Sequence, residues 1–175
     1  MSPLRFRWVT CQLEALKRCF PSAIRRALDH LPKGLDETYD RILKGIPEEK
    51  QEYAHCLLKC VAVAIRPLRV EELADVLAVE FEAESFPQYH LDWRPENAEE
   101  EVLSVCSSLI TIVDMDGSQV VRFSHFSVKE YLTSERLANT GECLSQYHIL
   151  SHSAHTSIAK ASLSVLLALG DKVDR

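Results

Sequence analysis

The chain has 175 residues, of which 46% are hydrophobic and 26% charged, and it carries a formal net charge of -6 at pH 7. That length supports one ordinary domain plus a small subdomain with a real core, and the apolar share excludes wholesale disorder. The negative balance argues against nucleic acid as the main partner, because phosphate binding draws on clustered Lys and Arg, and five glycines are too few for a Rossmann-type chain.

From Phe6 to Cys19, apolar residues at Phe6, Val9, Leu13 and Leu16 recur near helical spacing, with Arg5, Arg7, Gln12, Glu14 and Lys17 off that face. Pro21 suits a first helical position and opens a second helix through Ile24 and Leu28, which the run His30-Leu31-Pro32-Lys33-Gly34 breaks. A third helix carries Asp36 and Glu37 at its positive end and sets Tyr39, Ile42, Leu43 and Ile46 on one side. Pro47 starts a fourth, with a broad stripe of Leu57, Leu58, Val61, Ala64 and Ile65 that runs until Pro67 ends it. Leu68-Arg69 is a candidate short strand, and Val70 to Val79 a fifth helix burying Val70, Leu73, Ala74 and Leu77.

Periodicity is lost from Glu80 to Glu96, which predicts a long loop pinned by aromatics such as Phe81, Phe86, Tyr89 and Trp93. A sixth helix follows over Ala98 to Ser107, burying Val102, Leu103 and Cys106. The runs 109–113 and 119–123 are β-rich, and Asp116-Gly117 between them supplies the positive φ angles of a tight hairpin. Ser127 precedes Glu130 by three residues, the capping-box spacing, ahead of a helix with Tyr131 and Leu132. A last amphipathic helix spans Ser153 to Leu169, with Ile158, Ala161, Leu163, Leu166 and Leu167 on its apolar side. Three helices feeding a two-stranded hairpin make a winged helix, since a hairpin alone would be unstable. The fold expected is therefore mainly α: a helical subdomain over 1–46, a winged-helix domain over 47–138 and a helical linker over 139–175.

No stretch reaches the ~18 consecutive apolar residues of a membrane span, and Arg5 and Arg7 near the start have no apolar run behind them. The cysteines (Cys11, Cys19, Cys56, Cys60, Cys106 and Cys143) sit mostly at apolar positions of helical patterns rather than in a disulfide framework. A reducing, cytoplasmic setting without membrane contact is the expectation.

Several segments, in order, carry a family resemblance: Phe6-Arg7-Trp8-Val9-Thr10-Cys11-Gln12-Leu13, the run 31–43, Ile65-Arg66-Pro67-Leu68, the run 105–110, and above all the run from Phe123 to Leu132. They resemble the region that follows the nucleotide-binding domain in fungal NACHT–ankyrin proteins, a class of signal-transducing NTPases, including the winged-helix domain named after GPI inositol-deacylase. The segments 147–149 and 158–167 resemble the helical linker towards repeats in that family, although no ankyrin repeat occurs in this chain. The resemblance implies a non-catalytic regulatory module that folds over ADP on a nucleotide-binding domain, holds the closed state, and swings away on exchange for ATP. It places His125 where such proteins put a histidine contacting the β-phosphate of ADP, which suits an imidazole donor beside a helix start. No G-x-x-x-x-G-K-[ST] loop is present, so ADP or ATP is expected only with a nucleotide-binding domain of a parent or partner protein, and a downstream repeat domain is the other expected partner.

Each candidate has a plainer reading. His125 could equally be a helix-entry histidine satisfied by backbone. His148, His152 and His155 could hold a metal, but solvated linker histidines explain them without one. Cys56 and Cys60, at i and i+4 beside His55, read as small buried apolar groups. Ser127 lacks a nucleophile-elbow context and reads as an N-cap. Glu96, Glu99, Glu100 and Glu101 complement the dipole of the sixth helix and would repel phosphate there, which weighs against the rival function, a winged-helix nucleic-acid binder. Arg25-Arg26 and Lys17-Arg18 read as solvated.

Overall fold

The computed structural model describes residues 3–17, 19–29, 31–81, 83, 86–106 and 108–173. His30, Ser107 and the Arg18 half of the Lys17-Arg18 pair lie outside the described residues. Ten helices are ordered as α1 (Pro3–Lys17), α2 (Ile24–Asp29), α3 (Leu35–Lys44), α4 (Glu48–Val63), α5 (Val70–Leu77), α6 (Ala98–Cys106), α7 (Phe126–Leu132), α8 (Glu135–Ala138), α9 (Glu142–Ser145) and α10 (Ser151–Val173) among those residues. Five strands accompany them: β1 (Leu68–Arg69), β2 (Val79–Glu80), β3 (Gln88–Tyr89), β4 (Ile110–Met115) and β5 (Ser118–Phe123). The protein is mainly α with a winged helix: α4, α5 and α6 lead into the β4–β5 hairpin, and β1 joins it in the order β1-β5-β4.

The hairpin register runs from Ile110 opposite Phe123 to Met115 opposite Ser118, leaving a two-residue loop. Asp116 and Gly117 both take positive φ, 53° and 78°, which is the pattern of a type I′ turn whose twist matches the strands. The Asp114 carboxylate accepts from the Gly117 N–H at 3.2 Å and closes the turn. β1 adds Leu68 opposite Val121, so the wing is anchored to the segment between α4 and α5.

That segment departs from expectation. α4 ends at Val63 with Ala64 already extended, and Ile65 is fully exposed rather than part of the buried stripe. The requirement that a residue before proline be extended reaches back only to Arg66. The earlier stop is held by side chains: Arg66 grips both oxygens of Glu72 at 2.9 and 2.6 Å, while Glu72 accepts from the Arg69 N–H at 2.8 Å. The arginine beside it holds the Glu72 carboxyl down at about 2.

α5 stops at Leu77, and Val79 instead pairs in β2 with Tyr89 of β3. The stretch expected as plain loop therefore contains a miniature hairpin and a 3-10 turn over Leu91–Trp93. Asp75 secures it by accepting from the Tyr89 hydroxyl at 3.2 Å and from Arg94 Nε at 2.6 Å. Trp93 stacks on His90 at 4.1 Å yet stays half exposed.

One apolar cluster unites Tyr39 and Leu43 of α3 with Leu57, Leu73, Val102 and Leu132 and continues to Ile149 and Ala154. Two helices present faces that periodicity did not foretell. In α1, Phe6, Val9 and Leu13 are 59%, 44% and 54% exposed, while Arg7, Cys11 and Gln12 are buried. Hydrogen bonds choose that face: Gln12 donates to Thr38 Oγ1 at 2.9 Å and accepts from Arg41 at 2.8 Å, and the Trp8 indole donates to the Pro32 carbonyl at 2.9 Å. In α10, which packs mainly on α4, small residues Ala154 and Ala161 are buried, and Leu163, Leu166 and Leu167 turn outward, each more than half exposed. α2 has no buried residue, leaving Leu28 and the edge of Ile24 uncovered.

The C-terminal segment is tied to α4 by His55, whose ring meets Tyr147 edge-on at 6.0 Å. Burial, reinforced by the charge of Lys59, pushes His55 down to about 4 against a small opposing hydrogen bond at the His148 backbone. Burial likewise raises Tyr147 to about 12. His55 Nε2 and the Tyr147 hydroxyl are both buried without a partner among the described residues.

Two outcomes are expected. Gly117→Ala has space for its Cβ but must hold a positive φ, so it should cost about 1 kcal/mol in urea unfolding. A neutral result would contradict the turn geometry. His55 resists protonation in the fold but not in the unfolded chain, so its contribution is complete above pH 6.5 and is lost as pH falls towards 4, a decline of about 3 kcal/mol. His55→Leu should flatten stability across that window, and an equal acid loss in both proteins would assign the lability elsewhere.

Candidate functional site

His125 stands where strand β5 hands over to α7. Its backbone is extended (φ -159°, ψ 149°), so it is the last residue before the helix and occupies the N-cap position. Its ring Nδ1 accepts from the Ser127 N–H at 3.3 Å and lies 2.6 Å from the Ser127 hydroxyl oxygen. This corrects the reading of Ser127 as the cap. A capping box needs its Ser outside the helix with extended backbone, whereas Ser127 is the second residue of α7, buried, and bound by His125 in front of it.

Ser127 connects the winged helix to the helical subdomain. Its hydroxyl oxygen lies 2.8 Å from that of Tyr39 in α3, and the Tyr39 ring packs on Tyr131 of α7 at 5.3 Å. The Tyr131 hydroxyl donates to Asp40 of the same α3, and Arg136 of α8 pairs with Asp36. Burial raises the Tyr39 phenol, partly countered by its hydrogen bond with the Ser127 hydroxyl and by the nearby Arg7 charge.

Arg7 reaches in from α1. Its Nη2 donates to the Ser108 carbonyl at 2.7 Å and to Ser124 Oγ at 2.6 Å. Ser124 in turn donates towards the Ser108 and Leu109 carbonyls, at 3.1 and 3.0 Å, and its N–H binds the Leu109 carbonyl at 2.9 Å. The guanidinium thus clasps both ends of the wing root, the start of β4 and the end of β5. It is only 8% exposed, Nε is buried without a partner, and among the described residues no carboxylate forms an ion pair with it. A buried cation held by neutral oxygens alone is costly and leaves a positive field around it. Partial burial first, then that Arg7 charge, depress the His125 ring below its ordinary value, with Glu130 opposing.

The sequence singled out His125 but missed Arg7, Tyr39 and Ser124. The available signal was an arginine flanked by two aromatics, Phe6-Arg7-Trp8, which hydrophobic periodicity assigned to the solvent side. The other candidates are scattered. His152 and His155 are exposed on the first turns of α10, and His148 precedes it half buried; among the described residues no group of three ligating side chains forms. Cys60 is buried and Cys56 half buried, the latter's thiol raised by its contact with Cys60 and by burial, and all six cysteines are free. Glu99, Glu100 and Glu101 are exposed on the first turn of α6, and Asn97 caps that turn through the Glu100 N–H. An acidic α6 disfavours entry into a phosphate-lined groove. A concavity of about 360 Å³ beside Tyr53, Leu77 and Trp93 belongs to α4–α6 and does not include His125.

Residues 39–142 match the family described as "GPI inositol-deacylase, winged helix domain". The chain is 37% identical over 145 residues to azaphilone pigments biosynthesis cluster protein L of Monascus ruber, covering 80% of this chain and 29% of that protein. It is 28% identical over 130 residues to vegetative incompatibility protein HET-E-1 of Podospora anserina, covering 73% of this chain and 9% of that one. The chain therefore spans under a third of the curated relatives it matches. No solved structure matches.

Arg7→Met should lower unfolding stability by about 2 kcal/mol, because it strips donors from the Ser108 carbonyl and from Ser124. Combined with Ser124→Ala in a double-mutant cycle, it should show a coupling of about 1 kcal/mol. Strict additivity would mean that the two side chains do not act together.

Proposed function

Because the chain belongs to the GPI inositol-deacylase winged-helix family, we propose that it is a non-catalytic regulatory module of a NACHT-type signalling switch, packing on a nucleotide-binding domain and holding its ADP-bound state closed. The observation that carries this reading is the two-sidedness of α1. Its polar face is fastened to the wing root by Arg7, while Phe6, Val9 and Leu13 are left in solvent on one side of the helix, and Phe20 and Leu28 beyond it are exposed as well. Isolated exposed apolar side chains are ordinary, but a contiguous row on a helix fixed by its other face marks a surface that another body covers.

In this reading that body is the nucleotide-binding domain, encoded with the module or supplied by a partner, in the cytoplasm. The length of the fungal relatives supports the first arrangement. His125 then offers its ring as a donor to a phosphate oxygen of bound ADP, and ADP supplies the charge that favours closure. The outward leucines Leu163, Leu166 and Leu167 of α10 present a second apolar row to a downstream repeat domain. Nucleic-acid binding is the less favoured alternative, since the acidic opening of α6 would face the phosphates.

The test places the module behind a P-loop NTPase domain of the NACHT type and follows ADP release. Release should slow in the fusion relative to the NTPase domain alone, and His125→Ala should accelerate it about tenfold, the value of a hydrogen bond to a charged group. Identical release with and without the module would end the closed-state reading. In a low-salt gel-shift titration the module should leave random duplex unshifted; tight, salt-sensitive binding would favour the alternative.

A further inference from the structure

The hydrogen-bond directions around His125 determine which ring nitrogen carries the proton. A backbone N–H can only donate, so the Ser127 N–H fixes Nδ1 as an acceptor. The Ser127 hydroxyl, 2.6 Å from the same nitrogen, must then also donate to it, which leaves its oxygen lone pairs to accept. The Tyr39 hydroxyl at 2.8 Å is the donor that fills one of them. Each group in the series Tyr39, Ser127, His125 therefore donates to the next. Nδ1 being occupied, the neutral ring carries its hydrogen on Nε2, which has no partner among the described residues and is not among the buried unpartnered atoms.

The series starts in the helical subdomain and ends at the candidate phosphate contact. Arg7 bears on both ends: its charge lowers both the Tyr39 phenol and the His125 ring. The charged groups acting on that ring are Arg7 from α1 and Glu130 from α7, while Tyr39 of α3 acts through Ser127.

We infer that Tyr39 and Ser127, backed by Arg7, are positioning residues that set the tautomer of His125, so that the winged helix presents an Nε2–H to an oxyanion as long as the helical subdomain is docked. This inference deepens the closed-state reading and rests on it for the identity of the oxyanion, a phosphoryl oxygen of a nucleoside diphosphate. A neutral donor of this kind recognises the anion without first taking up a proton. Undocking α3 removes the Tyr39 donor, frees the Ser127 hydroxyl to turn, and lets the ring proton redistribute. Contact with the anion and docking of the subdomain are thereby coupled through side chains that never touch the ligand.

The test needs no nucleotide. Histidine-ring ¹⁵N NMR on the full 175-residue chain should find His125 as the Nε2–H tautomer from pH 8 down through neutrality, titrating below the ordinary imidazole value. Ser127→Ala removes the shorter donor and should reduce the tautomer ratio about fivefold and raise the titration midpoint. Tyr39→Phe, which preserves the ring packing should the serine variant fold poorly, should move both quantities the same way by less. A wild-type ring protonated on Nδ1, or a ratio and midpoint unchanged in a folded variant, would overturn the inference. Because the readout is the free module, loss of the positioning series and loss of the ADP-closed reading are separately visible: normal tautomers with unaltered ADP release would sink only the latter.

Discussion

A guanidinium removed from water requires acceptors, and Arg7 finds them only where the two strands of the wing converge. Its contacts with the Ser108 carbonyl and Ser124 fix the roll of α1 about its own axis. Once that roll is fixed, Gln12 faces Thr38 and Arg41, α1 lies along α3, and the Tyr39 hydroxyl comes against Ser127. The same side chain thus decides which face of the first helix is buried, how the helical subdomain meets the winged helix, and what electrostatic field His125 experiences. Its lack of a carboxylate partner among the described residues distinguishes it from the pairs Arg66–Glu72 and Arg94–Asp75, where the charges neutralise each other locally.

The winged helix was legible in the residues because its strongest signals are local. Asp116-Gly117 takes the two positive φ angles that such a pair favours, and the β-rich runs 109–113 and 119–123 supply the strands on either side. Helices α3 to α6 carry enough apolar periodicity to be found, with ends misplaced by two or three residues where side chains such as Glu72 do the terminating. The β2–β3 pair was hidden because two-residue strands have no period to detect. The roll of α1 was hidden for a deeper reason: periodicity assumes that the apolar stripe faces inward, and here a polar face won through hydrogen bonds 101 and 117 residues distant in sequence. α10 shows the same failure in milder form, since its small residues Ala154 and Ala161 are buried while the larger leucines face out.

At the candidate site, His125 could be found as part of the run Phe123 to Leu132, but its partners could not. The S-x-x-E spacing pointed to Ser127 as the cap, whereas the backbone places His125 there and draws Ser127 inside. The apolar rows left open on α1 and α10 fit a chain that spans under a third of its curated relatives. They lie on the first and last of the long helices.

The Arg7 contribution at His125 depends on α1 being held to the wing root in the isolated chain. Native-state hydrogen exchange of the α1 amides measures this directly. Protection around Arg7 and Cys11 approaching that of β5 would show the clasp to be closed and the subdomain docked. Exchange of those amides at the rate of a fraying terminus, with β5 still protected, would mean that Arg7 does not hold the two parts together.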